Sequence, residues 1–187
     1  MHRLFTKKEI LTIPNMLSIF RLLLLPLIIW FYTREHYIAA LLVLFLSGIS
    51  DIADGIIARK FNMVSDFGKI IDPIADKLTQ GTLLLCIAIK HRIVIVLIAI
   101  FALKEILMAT LGYLIIRRKD SVNSARWYGK LNTVIIYSTI VLLIVFPNIP
   151  KTAVNIMVFT CIAIIVISFI LYARFYQKIL NDNKQSE

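Results

Sequence analysis

Apolar residues dominate six stretches of the chain, and polar residues gather in the short intervals between them. The stretches run roughly over residues 15–33, 37–58, 67–89, 93–116, 131–146 and 153–172. Most approach the about 20 residues that a helix needs to cross about 30 Å of hydrocarbon; the fifth is the shortest. Lipid offers no water to satisfy backbone groups, so helix is the conformation open to such segments. The pattern predicts an all-α integral membrane protein of six transmembrane helices, read as a single domain over residues 1–187, with no internal repeat or long linker. Of 187 residues, 59% are hydrophobic and 17% charged, and the mean hydropathy is +0.84. A soluble, disordered or disulfide-rich secreted chain is excluded on those values. Cys86 and Cys161 lie inside apolar runs without a Cys or His at ligand spacing, so they read as small buried hydrophobes.

Charge adds an orientation. The formal net charge is +10, from 21 Lys and Arg against 11 Asp and Glu. In a membrane protein such an excess points to cytoplasmic loops and anionic headgroups, and no nucleic-acid partner is expected. One set of alternating loops carries Arg3, Lys7, Lys8, Arg59, Lys60, Lys69, Arg117, Arg118, Lys119, Arg126, Lys130, Arg174, Lys178 and Lys184. The other carries only Arg34, Lys90, Arg92 and Lys151. Fourteen against four places both termini in the cytoplasm of a multi-pass cell-membrane protein. Trp30 and Tyr32 then sit at the outer interface, Trp127 and Tyr128 at the inner one. The basic start of the chain precedes an apolar run too long for a signal peptide, so that run reads as a retained first span. Residues 1–14 form a juxtamembrane segment in which residues 3–12 are expected to make a short interfacial helix, with Leu4, Phe5, Ile10 and Leu11 toward lipid.

The acidic residues are concentrated. Asp51, Asp54, Asp66, Asp72 and Asp76 are five of the eleven, and four of them interrupt membrane segments, at a cost of at least ~2.5 kcal/mol each near the bilayer centre. Asp51 and Asp54 share one helical face, and so do Asp72 and Asp76. A helical hairpin turning near residues 59–67 brings the two pairs together. Four facing carboxylates cannot all stay ionised without cations. Hard divalent ions with oxygen ligands answer this, Mg²⁺ best of all, with room for two ions. Salt bridges to Arg59, Lys69 and Lys77 are the alternative. Gly55, Ala58 and Gly68 are small residues that let a ligand or a helix approach the backbone. Arg59, one turn after Gly55, suits a phosphate. Pro73 is expected to disturb its helix directly after Asp72.

Read together, Asp51-Ile-Ala-Asp54-Gly55-Ile-Ile-Ala58-Arg59, eight residues, then Gly68-Lys-Ile-Ile-Asp72-Pro-Ile-Ala-Asp76 resembles the signature of the CDP-alcohol phosphotransferase family, D-x-x-D-G-x-x-A-R-(x8)-G-x-x-x-D-x-x-x-D, at every specified position. The resemblance implies a six-helix membrane enzyme, usually a homodimer, with its site on the cytoplasmic side. The implied reaction is transfer of a substituted phosphate from a CDP-linked donor to an alcohol, with release of CMP. It implies Asp51, Asp54, Asp72 and Asp76 as metal ligands for Mg²⁺ (or Mn²⁺), Asp76 as the base for the acceptor hydroxyl, and Gly55, Ala58, Arg59, Ser65 and Gly68 at the CDP moiety. Pro14-Asn15-Met-Leu-Ser18-Ile-Phe-Arg21 followed by Pro26 resembles the opening of the phosphatidylglycerophosphate and cardiolipin synthase branches. Asn15 there borders the nucleotide, and Arg21, deep in a span, needs an aspartate or a carbonyl as partner.

The acceptor is read from cations further along. Lys77 after Asp76 resembles the same two branches, and Gly129-Lys130-Leu-Asn132-Thr133 resembles G-K-x-K-T with Asn132 in place of the second lysine. Lys104, Arg118 and Lys130 are candidates for an acceptor-phosphate site. The expected substrates are CDP-diacylglycerol and glycerol 3-phosphate. Phosphatidylglycerol, giving cardiolipin, is the alternative acceptor, and an ion-coupled transporter is the alternative from another class.

Overall fold

The computed structural model describes residues 12–61, 63, 65, 67–116 and 127–182. Six helices form among them: α1 (Ile13–Thr33), α2 (Tyr37–Lys60), α3 (Gly68–Lys90), α4 (Val94–Ile116), α5 (Trp127–Val145) and α6 (Lys151–Asp182). Each apolar stretch of the sequence is one helix. Four are long and apolar enough to cross a membrane: α1, α2, α4 over Val94–Leu111, and α6 over Lys151–Phe175. The apolar part of α5, Gly129–Val145, is shorter, and α3 carries Asp72, Asp76 and Lys77 in its first half, with Gln80 just past its middle. The interfacial helix expected over residues 3–12 falls, but for Thr12, outside the described residues, as do Asp66 and Arg118.

Pro14 stands in the first turn of α1, where its missing N–H costs nothing. The helix ends at Thr33, and Glu35, two residues on, has a left-handed φ of 60°. There His36 N donates to Phe31 O at 2.9 Å and Glu35 N to Tyr32 O at 3.0 Å, closing the last carbonyls of α1 before α2 begins. Pro73 does not break α3; the helix runs through it from Gly68 to Lys90. A proline this close to a helix start removes one bond, and the next turn re-forms around it.

The chain divides into two compact units, residues 1–87 and 88–187. In the first, α1 packs along α2. The buried positions of α1 recur every three or four residues: Asn15, Ser18, Arg21, Leu24, Leu25, Ile28 and Tyr32. Those of α2 do likewise: Ala40, Leu44, Ser47, Ser50 and Asp54. Small residues on the α2 stripe allow close approach, and Ser50 Oγ donates to Leu17 O at 3.4 Å. Both stripes are apolar toward the α1–α2 turn and polar at the opposite end. The outward faces carry Leu23, Ile38 and Phe45, all exposed, as lipid-facing positions should be. In the second unit α6 packs against α4 and α5. Val94, Leu97, Ile136, Ile140, Val158 and Ile165 are among its buried side chains, and Thr139 meets Cys161 at 3.3 Å. Both cysteines are free and buried, as expected.

Candidate active site

The polar ends of α1 and α2 and the start of α3 build one cluster. Arg21, only 3% exposed, directs its guanidinium from α1 at three carboxylates. Nη1 pairs with Asp51, Nη2 bonds Asp54 Oδ2 at 2.8 Å, and Nη2 lies 3.8 Å from Asp72 Oδ1. Ser18, one turn earlier, offers its hydroxyl to Asp72 and stands 3.3 Å from Asp54 Oδ2. Arg21 Nη2 also reaches Ser18 Oγ at 3.3 Å. The expected hairpin between α2 and α3 thus brings Asp51, Asp54 and Asp72 together, with α1 wedged at its centre. The fourth aspartate, Asp76, is held by Gln80 one turn on, whose Nε2 stands 3.3 Å from both carboxylate oxygens, and by Lys77 at 3.8 Å.

Exposure separates the roles. The Asp54 side chain is 6% exposed and Arg21 3%, while those of Asp51, Asp72 and Asp76 are 55%, 44% and 32% exposed. The buried Arg21–Asp54 pair ties α1 to α2, and Asp51, Asp72 and Asp76 are the more accessible carboxylates. Three carboxylates share one guanidinium, so two negative charges stand in excess. As oriented, the oxygens converge on Arg21, and no three acidic, His or Cys side chains among the described residues are arranged to hold a metal ion. The donor set nonetheless fits a hard divalent ion: oxygens from two helices, partly accessible, with surplus negative charge. To hold such an ion, Asp51 and Asp72 would have to turn from the guanidinium. Of the cations weighed as salt-bridge partners, Lys77 alone has a described pair with an aspartate of the motif; Arg59 is exposed.

Beside the carboxylates, Asn15, Ser65 and Gly68 meet. Asn15 Nδ2 and Ser65 Oγ are 2.9 Å apart, and Gly68 N donates to Ser65 Oγ at 2.9 Å. A Cβ on Gly68 would stand 2.7 Å from Asn15 Oδ1 and 3.1 Å from Ser65 Oγ. The glycine is therefore required by the packing of the α3 start against α1, a reason its spacing alone does not disclose. At Gly55 a Cβ would be 3.8 Å from Arg59 Nη2, so Arg59 folds back along α2 over Gly55, with half-buried Ala58 adjacent. Arg21, expected to need an aspartate or a carbonyl as partner, finds aspartates, with Ser18 of the same opening motif beside them; Gln80 is the site residue that the motifs leave out. For Gln80 the signal was its place one turn after Asp76.

Of the expected acceptor cations, Lys104 and Lys130 are described and Arg118 lies outside the described residues. Lys104 bonds Glu105 at 2.7 Å with its side chain 11% exposed, whereas Lys130 is exposed on α5. Asn132, in place of the pattern's lysine, is buried, and its Oδ1 has no hydrogen-bond partner among the described residues.

Six helices among the described residues, several able to span a bilayer, with an arginine-bridged acidic cluster on the first three, mark a multi-pass membrane protein with a polar site at one end of its helices. The chain belongs to the CDP-alcohol phosphatidyltransferase family, whose model matches residues 11–170. That family uses a CDP-alcohol and an alcohol acceptor and generally depends on a divalent metal. Among similar proteins is the CDP-diacylglycerol–glycerol-3-phosphate 3-phosphatidyltransferase of Aquifex aeolicus, 33% identical over 128 residues, 67% of this chain and 71% of the relative. The cardiolipin synthase (CMP-forming) of Streptomyces coelicolor is 46% identical over 76 residues, 37% of this chain and 35% of the relative. A cardiolipin synthase (CMP-forming)/mitochondrial hydrolase fusion protein of Schizosaccharomyces pombe is 34% identical over 104 residues, 56% of this chain and 18% of the relative. The chain thus spans under a fifth of the fusion protein, about a third of the Streptomyces relative and over two thirds of the Aquifex one.

Proposed function

We propose that the protein is a phosphatidyltransferase that moves the phosphatidyl group of CDP-diacylglycerol to sn-glycerol 3-phosphate, giving phosphatidylglycerophosphate and CMP. The observation that supports this most is the convergence of Asp51, Asp54 and Asp72 around Arg21, with two negative charges in excess and oxygens exposed. Divalent ions held by Asp51, Asp54, Asp72 and Asp76, Mg²⁺ or Mn²⁺ and two in number, supply the positive charge that a diphosphate needs. Gly55, Ala58 and Arg59 on α2, with Asn15, Ser65 and Gly68 beside them, take the CDP moiety. Arg59 meets its phosphates as an exposed planar cation. Asp76, steadied by Gln80, accepts the acceptor's hydroxyl proton. The freed oxygen attacks the phosphatidyl phosphorus, and the bond to CMP breaks with its electron pair on the CMP oxygen. Lys104, Arg118 and Lys130 bind the acceptor's phosphate. The enzyme works as a homodimer in the cell membrane, as one domain with its site on the cytoplasmic side; the lysine and arginine asymmetry of the loops supports that orientation.

Phosphatidylglycerol is the second acceptor to weigh, because buried Asn132 replaces a lysine of the pattern, and relatives named cardiolipin synthase are among those matched. Purified protein given labelled CDP-diacylglycerol and Mg²⁺ is offered glycerol 3-phosphate, phosphatidylglycerol, serine and inositol phosphate in turn. CMP release with glycerol 3-phosphate alone supports the main reading. Release with phosphatidylglycerol alone selects the second, and release with none refutes both, leaving the ion-coupled transporter to be tested.

A further inference from the structure

The sequence places only four basic residues on its poorly charged side, and three of them meet. A half-open cavity of about 380 Å³, wholly within the second unit, is lined by Lys90, His91, Arg92, Lys151 and Asn155, with Val154 on its wall. Among the described residues no acidic side chain lines it. The cavity lies where α3 ends, α4 begins and α6 begins. Val154 N is the first amide of α6 to bond back, to Pro150 O at 3.2 Å, so the amides of residues 151–153 have no acceptor within the helix and present the positive end of its dipole. The first turn of α6 carries no carboxylate to offset that end, and neither does the first turn of α4. His91 Nε2 is buried without a hydrogen-bond partner among the described residues. Burial first, then the charges of Lys90 and Lys151, hold its imidazole below the usual histidine range.

A cavity lined by three cations and a histidine suits an anion, and a basic cluster on this side runs against the usual loop bias. We infer that the cavity formed by the α3–α4 turn and the start of α6 binds a phosphate group, that of an anionic phospholipid headgroup at the membrane surface. Lys90, Arg92 and Lys151 supply charge-assisted donors, Asn155 a neutral one, and the α6 amides the dipole. The cavity is lined by the first turns of α6, whose apolar span begins at Lys151, so acyl chains would extend along that helix while the phosphate stays among the cations.

The test uses the full chain with isotope-labelled histidine in detergent micelles, following the imidazole signals of His2, His36 and His91 by NMR. Short-chain phosphatidylglycerol is titrated first, then short-chain phosphatidylcholine and inorganic phosphate separately. The expected result is a saturable shift of His91 alone with phosphatidylglycerol, and little with phosphatidylcholine. Removing two cations in R92Q/K151Q weakens the response about tenfold, taking roughly 1 kcal/mol or less from each. An unchanged His36 signal and melting temperature certify the fold of the variant. Should it misfold, R92Q and K151Q are read singly, each expected about threefold weaker. Saturation by inorganic phosphate, with no response to either lipid, keeps the phosphate site and assigns it to a soluble ligand. Equal response to both lipids, no response to any probe, or a variant response matching wild type overturns the inference.

Discussion

Removing Arg21 tests the acidic cluster most directly. In Arg21→Gln, Asp54 keeps its 6% exposure and loses its charged partner. Taking one member from a buried ion pair costs about 3–5 kcal/mol, because the other charge stays desolvated. Asp51 and Asp72, about half exposed, are screened by water and add little. For a chain of this size each kcal/mol moves the melting temperature about 2–4 °C, so the variant should melt roughly 6–20 °C below wild type in EDTA. Asp54→Asn in the same background removes the stranded charge and should restore most of the loss. Mg²⁺ should then raise the melting temperature of Arg21→Gln by more than it raises that of wild type, since the ion no longer competes with the guanidinium for the same oxygens. The assay is thermal unfolding of the full chain in detergent, followed by tryptophan fluorescence. A variant melting within about 2 °C of wild type would show that Arg21 is not the counterion of Asp54. An equal response of both proteins to Mg²⁺ would show that metal and guanidinium do not compete.

Three further outcomes follow from described contacts. Asp76→Asn should keep the melting temperature near that of wild type while CMP release falls at least a hundredfold, within the range expected on loss of a general base; near wild-type turnover would refute the assignment. Gly68→Ala puts a Cβ against Asn15 and Ser65 and should cost about 1–3 kcal/mol, with partial recovery in Asn15→Ala/Gly68→Ala; full stability of the single variant would contradict the close approach. His91, whose pKa is lowered from 6.5 in the folded chain, is protonated first in the unfolded chain as pH falls. Its stabilising share is therefore present above about pH 6.5 and lost below it, and His91→Asn should flatten the acid side of a melting-temperature profile.

Much of this architecture is legible in the sequence because its forces are local. Hydrophobic runs long enough for lipid can only be helices, and the helix ends found at Thr33, Tyr37, Lys90 and Ile116 lie within a residue of where the apolar pattern changes. The face shared by Asp51 and Asp54 follows from helical period alone. What stayed hidden depends on pairing across distance. Arg21 visibly needed a partner, but that it stands among three aspartates more than 30 residues away in most cases, or that Ser18 serves two of them, is set by how α1 lies against α2 and α3. Gly68 reads as room for a ligand or for a helix, and that Asn15 of α1 stands against it is set by how α1 and the start of α3 pack. The Lys90, Arg92 and Lys151 cluster was countable only as an exception to the loop bias, because its members come from two separate turns.

The length of α6 has a mechanical implication. Its 32 residues extend about 48 Å at about 1.5 Å per residue, against about 30 Å of hydrocarbon. Leaning does not absorb the difference: even at about 40°, the steep end of observed tilts, the rod still measures about 37 Å along the bilayer normal. Some of its turns therefore stand clear of the oil as a rigid post, whatever the local membrane thickness, and a tug at the C-terminal end of that post would be felt directly against the buried faces of α4 and α5.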